Sequence, residues 1–513
     1  MTRPRVRLVD TSTRDGNQSL WGAAGLTTGM VEALGPDLEA AGFVALDFTS
    51  STHLSVGVRW HKEDPWERIA RMRAVVPTTR LSVITTGMRF MSWDRSPVSL
   101  MRMSMRALVD AGVRRLQIAE PMNDTAAASA VARMAKDEGM EEVVGALTFT
   151  VSPVHDDSLY AACAKALAHD ESVDVVYLKD PGGLLTPERI QHLVPEIQAA
   201  LGTTPFELHS HCTTGLAPEV YVLAAQLGVE VLHTAIGALA NGTSQPSAIR
   251  LVENLDAVGI DVDVDVDAVR RAERTIDVIA ASQGLEPGRP TELDLSYQRH
   301  QVPGGMMGTL RRQLNEIGQI ALLPRVLDEV GRVRAELGYP IMVTPYSQYV
   351  GSQAVLNVLA EQAGQQRWSR MPDEILRYLL GHFGTPPGPV DPLVRERAAA
   401  NPRTRELDVP LPEPSAEEVR AKVYAAVGGR VPDHEVVLRS VLPTAQVEAM
   451  HAAGRAPRWS PERARGGPAG PVRTAREFVD AVTALPNWRS IDVELGDERV
   501  RLRRGADQEG SSA

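Results

Sequence analysis

Three stretches of the sequence place residues that bind metals or move protons directly after short apolar runs. One run ends at Lys179, a second ends in a His-Ser-His motif with His209 and His211, and a third leads into Asp15. Residues two positions apart on a strand point to the same face, so the two histidines face the same way. A His-x-His pair completed by a carboxylate from another strand is a common ligand set for a divalent metal.

Lys179 is unusual in this composition, because the chain has five lysines against 49 arginines. A lysine at a strand end fits three roles: a nucleophilic or Schiff-base amine, a carboxylated metal ligand, or a side chain that extends to solvent along apolar surface. If the amine takes up CO2, the resulting carbamate supplies an anionic oxygen. A metal ion and a carbamate would then stabilise each other.

The elements that must position these residues are eight β-rich runs that alternate with amphipathic helical patterns. This alternation predicts a (β/α)8 TIM barrel, an α/β fold, rather than an open doubly wound sheet. No Gly-x-Gly-x-x-Gly pattern follows the first run, which disfavours a dinucleotide-binding fold. In a barrel the candidate residues would meet at the C-terminal ends of the strands, which form the active-site face. The predicted strands are Val6–Asp10, Val44–Phe48, Leu81–Thr85, Arg115–Ala119, Val143–Phe149, Val175–Lys179, Phe206–His209 and Val229–Ile236.

Helical periodicity is present between the predicted strands and throughout residues 265–460. Gly42, Gly112, Gly202 and Gly228 fall just before predicted strands, where the C-cap of a helix belongs. The clearest predicted helices are Met30–Ala41, Leu100–Ala111, Ala126–Glu138, Pro187–Ala200, Leu323–Leu337, Gln353–Ala363 and Ala416–Val427.

Composition excludes several classes of protein. The length of 513 residues suits one large domain with one or two smaller ones. A net charge of −11, spread along the chain, argues against nucleic acid or an anionic membrane as the main partner. Cys163 and Cys212 lie far apart, which favours a reducing cytoplasm over a disulfide framework. No apolar stretch approaches the roughly 20 residues of a membrane span, and the charged N-terminus shows no signal peptide.

Several motifs together resemble the biotin-dependent carboxyltransferases. That family includes the carboxyltransferase domain of pyruvate carboxylase, the α subunit of oxaloacetate decarboxylase and the metal-binding subunit of transcarboxylase. The Arg-Asp and His-x-His motifs alone would also fit the wider superfamily of metal-dependent aldolases and lyases. The motifs are Thr13-Arg14-Asp15-Gly16-Asn17-Gln18-Ser19-Leu20, Lys179-Asp180-Pro181-Gly182-Gly183-Leu184-Leu185, His209-Ser210-His211-Cys212-Thr213-Thr214-Gly215, Val302-Pro303-Gly304-Gly305-Met306 and Val343-Thr344-Pro345-Tyr346-Ser347-Gln348.

The resemblance implies a TIM barrel followed by a helical region that funnels biotin to the barrel mouth. It implies that the ligands of a divalent metal (Zn, Mn or Co) are Asp15, Lys179 as its carbamate, His209 and His211. It also implies that Thr344 passes a proton between the acceptor substrate and biotin. A hydroxyl suits that role because it both donates and accepts a hydrogen bond.

Three loops around the implied acceptor pocket depart from the family pattern. Thr86 stands where the family has an arginine that clamps the acceptor carboxylate, the loop from Asp47 to His53 replaces a Glu-x-Trp-Gly-Gly pattern, and Ala119-Glu120 replaces Phe-Asp. A bidentate arginine–carboxylate pair is not replaceable by threonine, so we expect an acceptor other than pyruvate. The residues implied in binding the acceptor or biotin are Arg14, Gln18, Thr86, Arg89 and Glu120.

The sequence pattern predicts four segments: a barrel at 1–290, a helical funnel at 291–455, a linker at 456–472 and a helix–hairpin tail at 473–505. The tail is similar to the segment that precedes the biotinyl domain in some carrier proteins. Its predicted elements are a helix at Thr474–Ala484 and strands at Ser490–Leu495 and Arg499–Arg503. No lysine lies in a Met-Lys-Met context, so we expect biotin to arrive on another chain.

The sequence therefore predicts the carboxyltransferase subunit of a biotin-dependent carboxylase. Its predicted partners are a biotin carboxyl carrier protein, a biotin carboxylase subunit and a small-molecule acceptor, in a homodimer or larger oligomer. Alternatives are a decarboxylase running the reverse reaction, a biotin-independent metal-dependent lyase or aldolase, and a non-catalytic assembly subunit. The Thr344 region and the long helical extension disfavour the lyase, and the intact metal positions disfavour the assembly subunit.

Overall fold

The computed structural model describes four segments of the chain, residues 3–92, 95–460, 490–495 and 498–503. The chain divides into two compact units, Met1–Arg458 and Trp459–Ala513. The predicted division of the first unit at residue 290 stays a prediction.

Eight parallel strands of the described residues form a closed barrel, which confirms the predicted fold class. Neighbours in sequence are neighbours in the sheet, and Asp10 of the first strand pairs with Leu46 of the second to close the ring. A ninth strand, β9 (Asp261–Asp263), was not predicted and pairs with the beginning of the first. The barrel strands are β1 (Arg5–Asp10), β2 (Ala45–Ser50), β3 (Arg80–Thr85), β4 (Arg115–Ile118), β5 (Glu142–Thr148), β6 (Val175–Asp180), β7 (Phe206–Ser210) and β8 (Val231–Thr234).

Helices connect consecutive strands, and polar side chains begin several of them. Asp64, Asp124 and Asp156 each accept a hydrogen bond from a backbone N–H of the first turn, which satisfies a donor that the helix leaves free. The four glycines predicted to end helices all have positive φ. The helices of this part are α1 (Asn17–Trp21), α2 (Thr28–Ala40), α3 (Ser51–Val56), α4 (Pro65–Val75), α5 (Val98–Ala111), α6 (Thr125–Asp137), α7 (Asp157–Ala168), α8 (Pro187–Leu201), α9 (Ala217–Gln226), α10 (Ala248–Ala257) and α11 (Val266–Gln283).

The barrel interior contains small apolar residues and one ion pair that crosses it. Val9, Ala45 and Val231 form a buried cluster. Arg115 on β4 donates through Nη2 to both carboxylate oxygens of Glu207 on β7, at 2.7 and 2.6 Å. Since β5 and β6 separate these two strands in the sheet, the pair spans the interior of the barrel.

After the barrel, the described residues contain ten helices, and five of them, the second to the sixth, contribute to a second apolar core. Leu314, Val330, Tyr346 and Ile375 are among its fully buried members. The predicted helices of this region are present, although one begins at Tyr346 rather than Gln353. The helices are α12 (Tyr297–His300), α13 (Gly304–Glu316), α14 (Leu323–Glu336), α15 (Tyr346–Gln362), α16 (Asp373–Leu379), α17 (Pro392–Ala400), α18 (Pro402–Leu407), α19 (Ala416–Val427), α20 (Asp433–Val441) and α21 (Thr444–Ala453).

Hydrogen bonds join the helical region to the loop after β5. Gln301 donates through Nε2 to the carbonyl of Val151 at 2.7 Å. Arg334 donates through Nη2 to Thr150 Oγ1 at 2.8 Å and through Nη1 to the same Val151 carbonyl at 2.9 Å. The helical region is therefore tied to the C-terminal side of the barrel.

The second unit contains an antiparallel pair of strands, β10 (Ser490–Leu495) and β11 (Glu498–Arg503). Both predicted strands of the tail are present, and the second begins at Glu498 rather than Arg499. The predicted helix at Thr474–Ala484 and most of the predicted linker lie outside the described residues. Within the described residues, no helix combines the length and the apolar character that crossing a membrane requires.

Candidate metal centre and active-site cavity

The turn after β6 is fixed by the carboxylate of Asp180. One of its oxygens accepts from the backbone N–H of Leu184 at 2.8 Å, and the other accepts from that of Leu185 at 2.9 Å. The side chain of Ser210 on β7 donates to the same group at 2.8 Å. The ends of β6 and β7, which carry three of the predicted metal ligands, are thus held to each other.

Gly183 brings the same two strand ends into close contact. Its φ is +64°, and a Cβ at this position would lie 2.4 Å from the backbone carbonyl oxygen of His211. Only glycine fits, because any side chain would both strain the backbone and overlap that carbonyl. The Gly-Gly turn of the sequence therefore exists to seat β6 against the His-x-His segment.

Asp15, Lys179, His209 and His211 meet at the C-terminal ends of β1, β6 and β7, as predicted. Oδ2 of Asp15 lies 3.0 Å from His209 Nε2, 3.2 Å from His211 Nε2 and 3.6 Å from Lys179 Nζ. One atom from each of Asp15, His209 and His211 lies within 4.8 Å of the other two. All four side chains are buried. This is the spacing that a bound metal ion requires of its ligands.

The protonation states of these groups also suit a metal. Nδ1 of His211 donates to the carbonyl of Thr243 at 2.6 Å, which directs its Nε2 toward Asp15, 3.2 Å from Oδ2. Burial and the nearby Lys179 lower the pKa of His209 well below its usual value, so the ring is neutral. Burial alone would raise the pKa of Asp15, but Arg14 and the histidines hold it well below its usual range. Neutral imidazoles and an ionised carboxylate are the forms that bind metals.

Lys179 lies where a carbamate would reach the other predicted ligands. Its Nζ lies 3.4 Å from His209 Nε2, in contact with the atoms that would face the metal. Burial lowers the pKa of the amine, although the neighbouring Asp15 opposes that shift. The neutral amine is the form that reacts with CO2, and the product would add an oxygen ligand to the cluster.

A cavity of about 360 Å³ opens directly above the metal cluster. Eight of the ten predicted site residues line it: Arg14, Asp15, Gln18, Thr86, Arg89, Lys179, His211 and Thr344. His209 lies beneath the cavity floor with no exposed surface. Glu120 is not among the lining residues, and its carboxylate instead accepts hydrogen bonds from the backbone N–H groups of Met122 and Asp124, both at 2.8 Å.

The far side of the cavity, formed by the loops after β2 and β3, is rich in hydroxyl groups and contains one arginine. Ser50, Ser51 and Thr86 line this side. Arg89 donates to the carbonyl of Thr86 at 3.2 Å, and its guanidinium lies 5.4 Å from the ring centre of Phe383. Arg14 is paired with two carboxylates: its Nε donates to Asp47 at 2.7 Å and its Nη1 lies 3.2 Å from Asp15.

Comparison with known proteins gives one consistent result. The HMGL-like family matches residues 5–276, and the family described as a conserved carboxylase domain matches residues 298–467. A pyruvate carboxylase subunit of Methanocaldococcus jannaschii is 32% identical over 76% of this chain and 68% of that protein. The 2-oxoglutarate carboxylase large subunit of Hydrogenobacter thermophilus is 26% identical over 86% and 67%. The chain belongs to the biotin-dependent carboxyltransferase family.

The fold is shared with solved members of this family. The carboxyltransferase domain of Rhizobium etli pyruvate carboxylase, determined with oxamate and biotin, superposes with a TM-score of 0.79 at 22% identity and covers 88% of this chain and 78% of that one. The resemblance stated from the motifs is confirmed, as is the enzyme class: the chain is a metal-dependent carboxyltransferase. The match at residues 298–467 separates it from lyases and aldolases that share only the barrel.

Sequence reasoning missed one carboxyltransferase residue that contacts two predicted metal ligands. Gln245 Nε2 lies 3.3 Å from both Asp15 Oδ2 and His209 Nε2, and its Oε1 accepts from Thr11 Oγ1 at 2.7 Å. Gln245 lies in the loop after β8, well beyond the end of that strand. An amide in a Ser-Gln-Pro loop carries no metal-ligand signal of its own, so only the folded chain identifies it.

Proposed function

We propose that this subunit transfers the carboxyl group of N-carboxybiotin, carried on a separate protein, to an enolisable small acid other than pyruvate. The observation that carries the proposal is one cavity lined both by the metal cluster and by Thr344. Such a cavity can receive the carbonyl of an acceptor at one wall and a proton-transferring hydroxyl at another. It also supports the predicted ligand set of Asp15, carboxylated Lys179, His209 and His211.

A divalent metal held by these ligands would polarise the acceptor carbonyl and so acidify the carbon beside it. Thr344 takes the proton from that carbon and gives its own hydroxyl proton to the biotin ureido nitrogen, so the hydroxyl ends unchanged. The nitrogen–carboxyl bond of carboxybiotin breaks as this nitrogen is protonated, and the released CO2 is attacked by the acceptor carbon. A threonine is suited to this exchange because it needs no charge in a partly buried site.

The partners follow from the missing biotin site. None of the five lysines lies in a Met-Lys-Met context, and the proposed partners are a biotin carrier protein and a biotin carboxylase subunit that recharges its biotin. The predicted homodimer or larger oligomer belongs to the same proposal. The hairpin tail is a candidate element for docking the carrier.

The acceptor is proposed from the wall that carries Thr86. A 2-oxo acid brings a carboxylate, and leaving a buried carboxylate without its cation costs roughly 3–5 kcal/mol. Arg14 is already paired with two carboxylates, so Arg89 is the guanidinium at this wall that is proposed to bind the acceptor. Its position differs from residue 86, which favours an acceptor of different length or shape. The names of the two relatives specify different acceptors, pyruvate and 2-oxoglutarate, on a shared architecture.

The test is a transfer assay with carboxylated carrier and a panel of acceptors. Pyruvate, 2-oxoglutarate, other enolisable acids and acyl compounds are compared by kcat/KM, with Thr344→Ala as the control for uncatalysed decarboxylation. We expect pyruvate to be at least a hundredfold poorer than the best acceptor, as the lost clamp predicts. Efficient conversion of pyruvate to oxaloacetate would overturn the acceptor assignment, and no transfer to any acceptor would overturn the function.

A further inference from the structure

Beneath the cavity, four buried side chains form a line of hydrogen bonds across the barrel. Nδ1 of His209 lies 3.2 Å from Nδ1 of His233, and Nε2 of His233 lies 2.9 Å from Glu207 Oε2. Glu207 is in turn bonded by Arg115 at 2.6 and 2.7 Å. None of the four is more than 2% exposed. We call this chain, from Arg115 to His209, the barrel relay.

The donors and acceptors of the barrel relay can be assigned from its far end. An arginine only donates, so Glu207 must accept. The two bonds from a buried guanidinium hold Glu207 as a carboxylate, so it also accepts from His233. With a proton on Nε2, a neutral His233 has a lone pair at Nδ1. His209 must therefore donate from its own Nδ1.

Two further contacts define the surroundings of the barrel relay. Nη1 of Arg115 also lies 2.9 Å from Oε2 of Glu142, so the guanidinium lies between two carboxylates. The ring of Tyr177 stacks on His233, with 5.4 Å between centroids and 12° between planes. For a neutral His233 in this orientation, the hydrogen bonds allow one arrangement of protons along the relay.

We propose that His233, oriented by Glu207 and Arg115, is a positioning residue that fixes His209 in the tautomer presenting the Nε2 lone pair to the metal. This inference rests on the proposed metal centre and adds residues to it. His211 reaches the same state by a different means, a bond to the Thr243 carbonyl. A carbonyl can only accept a hydrogen bond, whereas a histidine nitrogen can donate or accept. The barrel relay therefore needs Arg115 and Glu207 to determine which of its nitrogens donate.

Substitutions at His233 separate the hydrogen bond from the space that the ring fills. His233→Leu removes the acceptor that faces His209, whereas the side-chain oxygen of His233→Asn occupies a position close to that of Nδ1 and keeps it. Outer partners of metal-bound histidines typically contribute 10–100-fold to metal affinity. We expect His233→Leu to lose roughly that factor and His233→Asn to retain most of the affinity.

Two measurements test the relay on the full chain. The first is the Zn²⁺ dissociation constant, obtained by competition with a chromophoric chelator. The second is the nitrogen NMR spectrum of metal-free protein labelled with ¹⁵N-histidine, in which His209 is assigned by comparison with His209→Asn. The matched control is His155→Leu, because His155 is also buried but bonds Ser152 outside the metal centre. Its Zn²⁺ affinity should equal that of the wild type.

In the wild type, we expect the proton of His209 to lie on Nδ1. In His233→Leu, we expect both this preference and the Zn²⁺ affinity to be lost. A proton on Nε2 in the wild type, or an affinity of folded His233→Leu within threefold of wild type, would overturn the proposal. If His233→Leu does not fold, the wild-type spectrum decides. Failure of the wild type to bind Zn²⁺ would instead contradict the metal centre, and the spectrum would still report on the relay.

Discussion

The two halves of the barrel mouth are built in different ways. On the half formed by β6, β7, β8 and β1, buried neighbours orient the polar groups, as the barrel relay and Asp180 do. On the half formed by β2, β3 and β4, hydroxyl groups and Arg89 line the cavity, and local bonds within the loops hold them, such as those of Ser51 and Thr85 to the Arg89 carbonyl. The first half is suited to one geometry, whereas the second can be altered by changing single loop residues.

The difference between the two halves places the metal chemistry and the selectivity for the acceptor on separate strands. A metal cluster tolerates little displacement, so its ligands belong on strand ends with supported side chains. Recognition of the acceptor needs only a cationic side chain and a cavity wall of matching shape. Loop residues can change both without moving the metal. Relatives named for two different acceptors fit this separation. The following predictions test it, from the largest expected effect to the smallest.

The strongest test removes the metal half altogether. His209→Ala combined with His211→Ala should bring bound metal from about one ion per chain to near zero, because too few ligands remain. Carboxyl transfer should fall below detection. Metal analysis and the transfer assay measure both, and His155→Leu serves as the control. Full metal content in the double variant would show that the ligands lie elsewhere.

Thr344 tests whether the proton route belongs to the chemistry and not to the binding of substrates. Thr344→Ala should lower kcat by roughly 10²–10⁴-fold, the usual contribution of a general acid–base group. Metal content and melting temperature should not change. Thr344→Ser keeps the hydroxyl and should recover much of the rate. Activity of Thr344→Ala within a few-fold of wild type would assign the proton transfer to another group.

Arg89 tests the selectivity half alone. Arg89→Ala should raise KM for the acceptor roughly a hundredfold, because a buried carboxylate would lose its cation. The KM for carboxylated carrier and the metal content should stay at wild-type values. Arg89→Lys, which keeps the charge but loses the planar fork, should lie between the two. An unchanged KM in Arg89→Ala would mean that the acceptor is bound elsewhere.

Glu120 offers the smallest effect, in stability. Burial raises its pKa to about 7, outweighing the two backbone N–H groups that favour the carboxylate. In the unfolded chain the pKa of a glutamate is about 4.3. Between pH values of about 4.3 and 7, the folded protein therefore keeps a proton on Glu120 that the unfolded chain has lost. Stability should fall as pH rises through this window, by up to roughly 3 kcal/mol above pH 7.

The matched variant for this effect is Glu120→Gln. Both backbone bonds go to the same oxygen, Oε2, so the glutamine carbonyl can accept them. The variant should melt a few degrees higher than wild type at pH 8 and at the same temperature near pH 4.5. An equal difference at both pH values would show that folding leaves the pKa of Glu120 unchanged.

The metal half was predictable because its signals are local. Asp15, Lys179, His209 and His211 each follow a recognisable strand, and a parallel barrel must bring strand ends together. The eight strands were predicted for the same reason, since buried strands are distinct apolar runs. The hairpin at the end of the chain was found from alternation around a turn.

The buried residues that orient the metal ligands were not predictable. Glu207 and His209 share a face of β7, a relation that period-two alternation contains. That His233 and Arg115 complete the line depends on the barrel closing with β4 opposite β7, which no local pattern reports. On the selectivity half, Glu120 was expected to face the acceptor. Its carboxylate instead accepts hydrogen bonds from the backbone of its own turn. A sequence motif does not show whether the backbone or a ligand will bind such a group.

The close seating of Gly183 on the His211 carbonyl has a consequence for redesign of the chain. The peptide at Gly183 packs directly against the neighbouring strand, so the segment should tolerate neither insertion nor new termini. A circular permutant opened at residue 183 should express without binding metal. One opened in the turn at Gly259, where a Cβ would meet nothing within 4 Å, should keep its metal, and metal content per folded chain distinguishes the two.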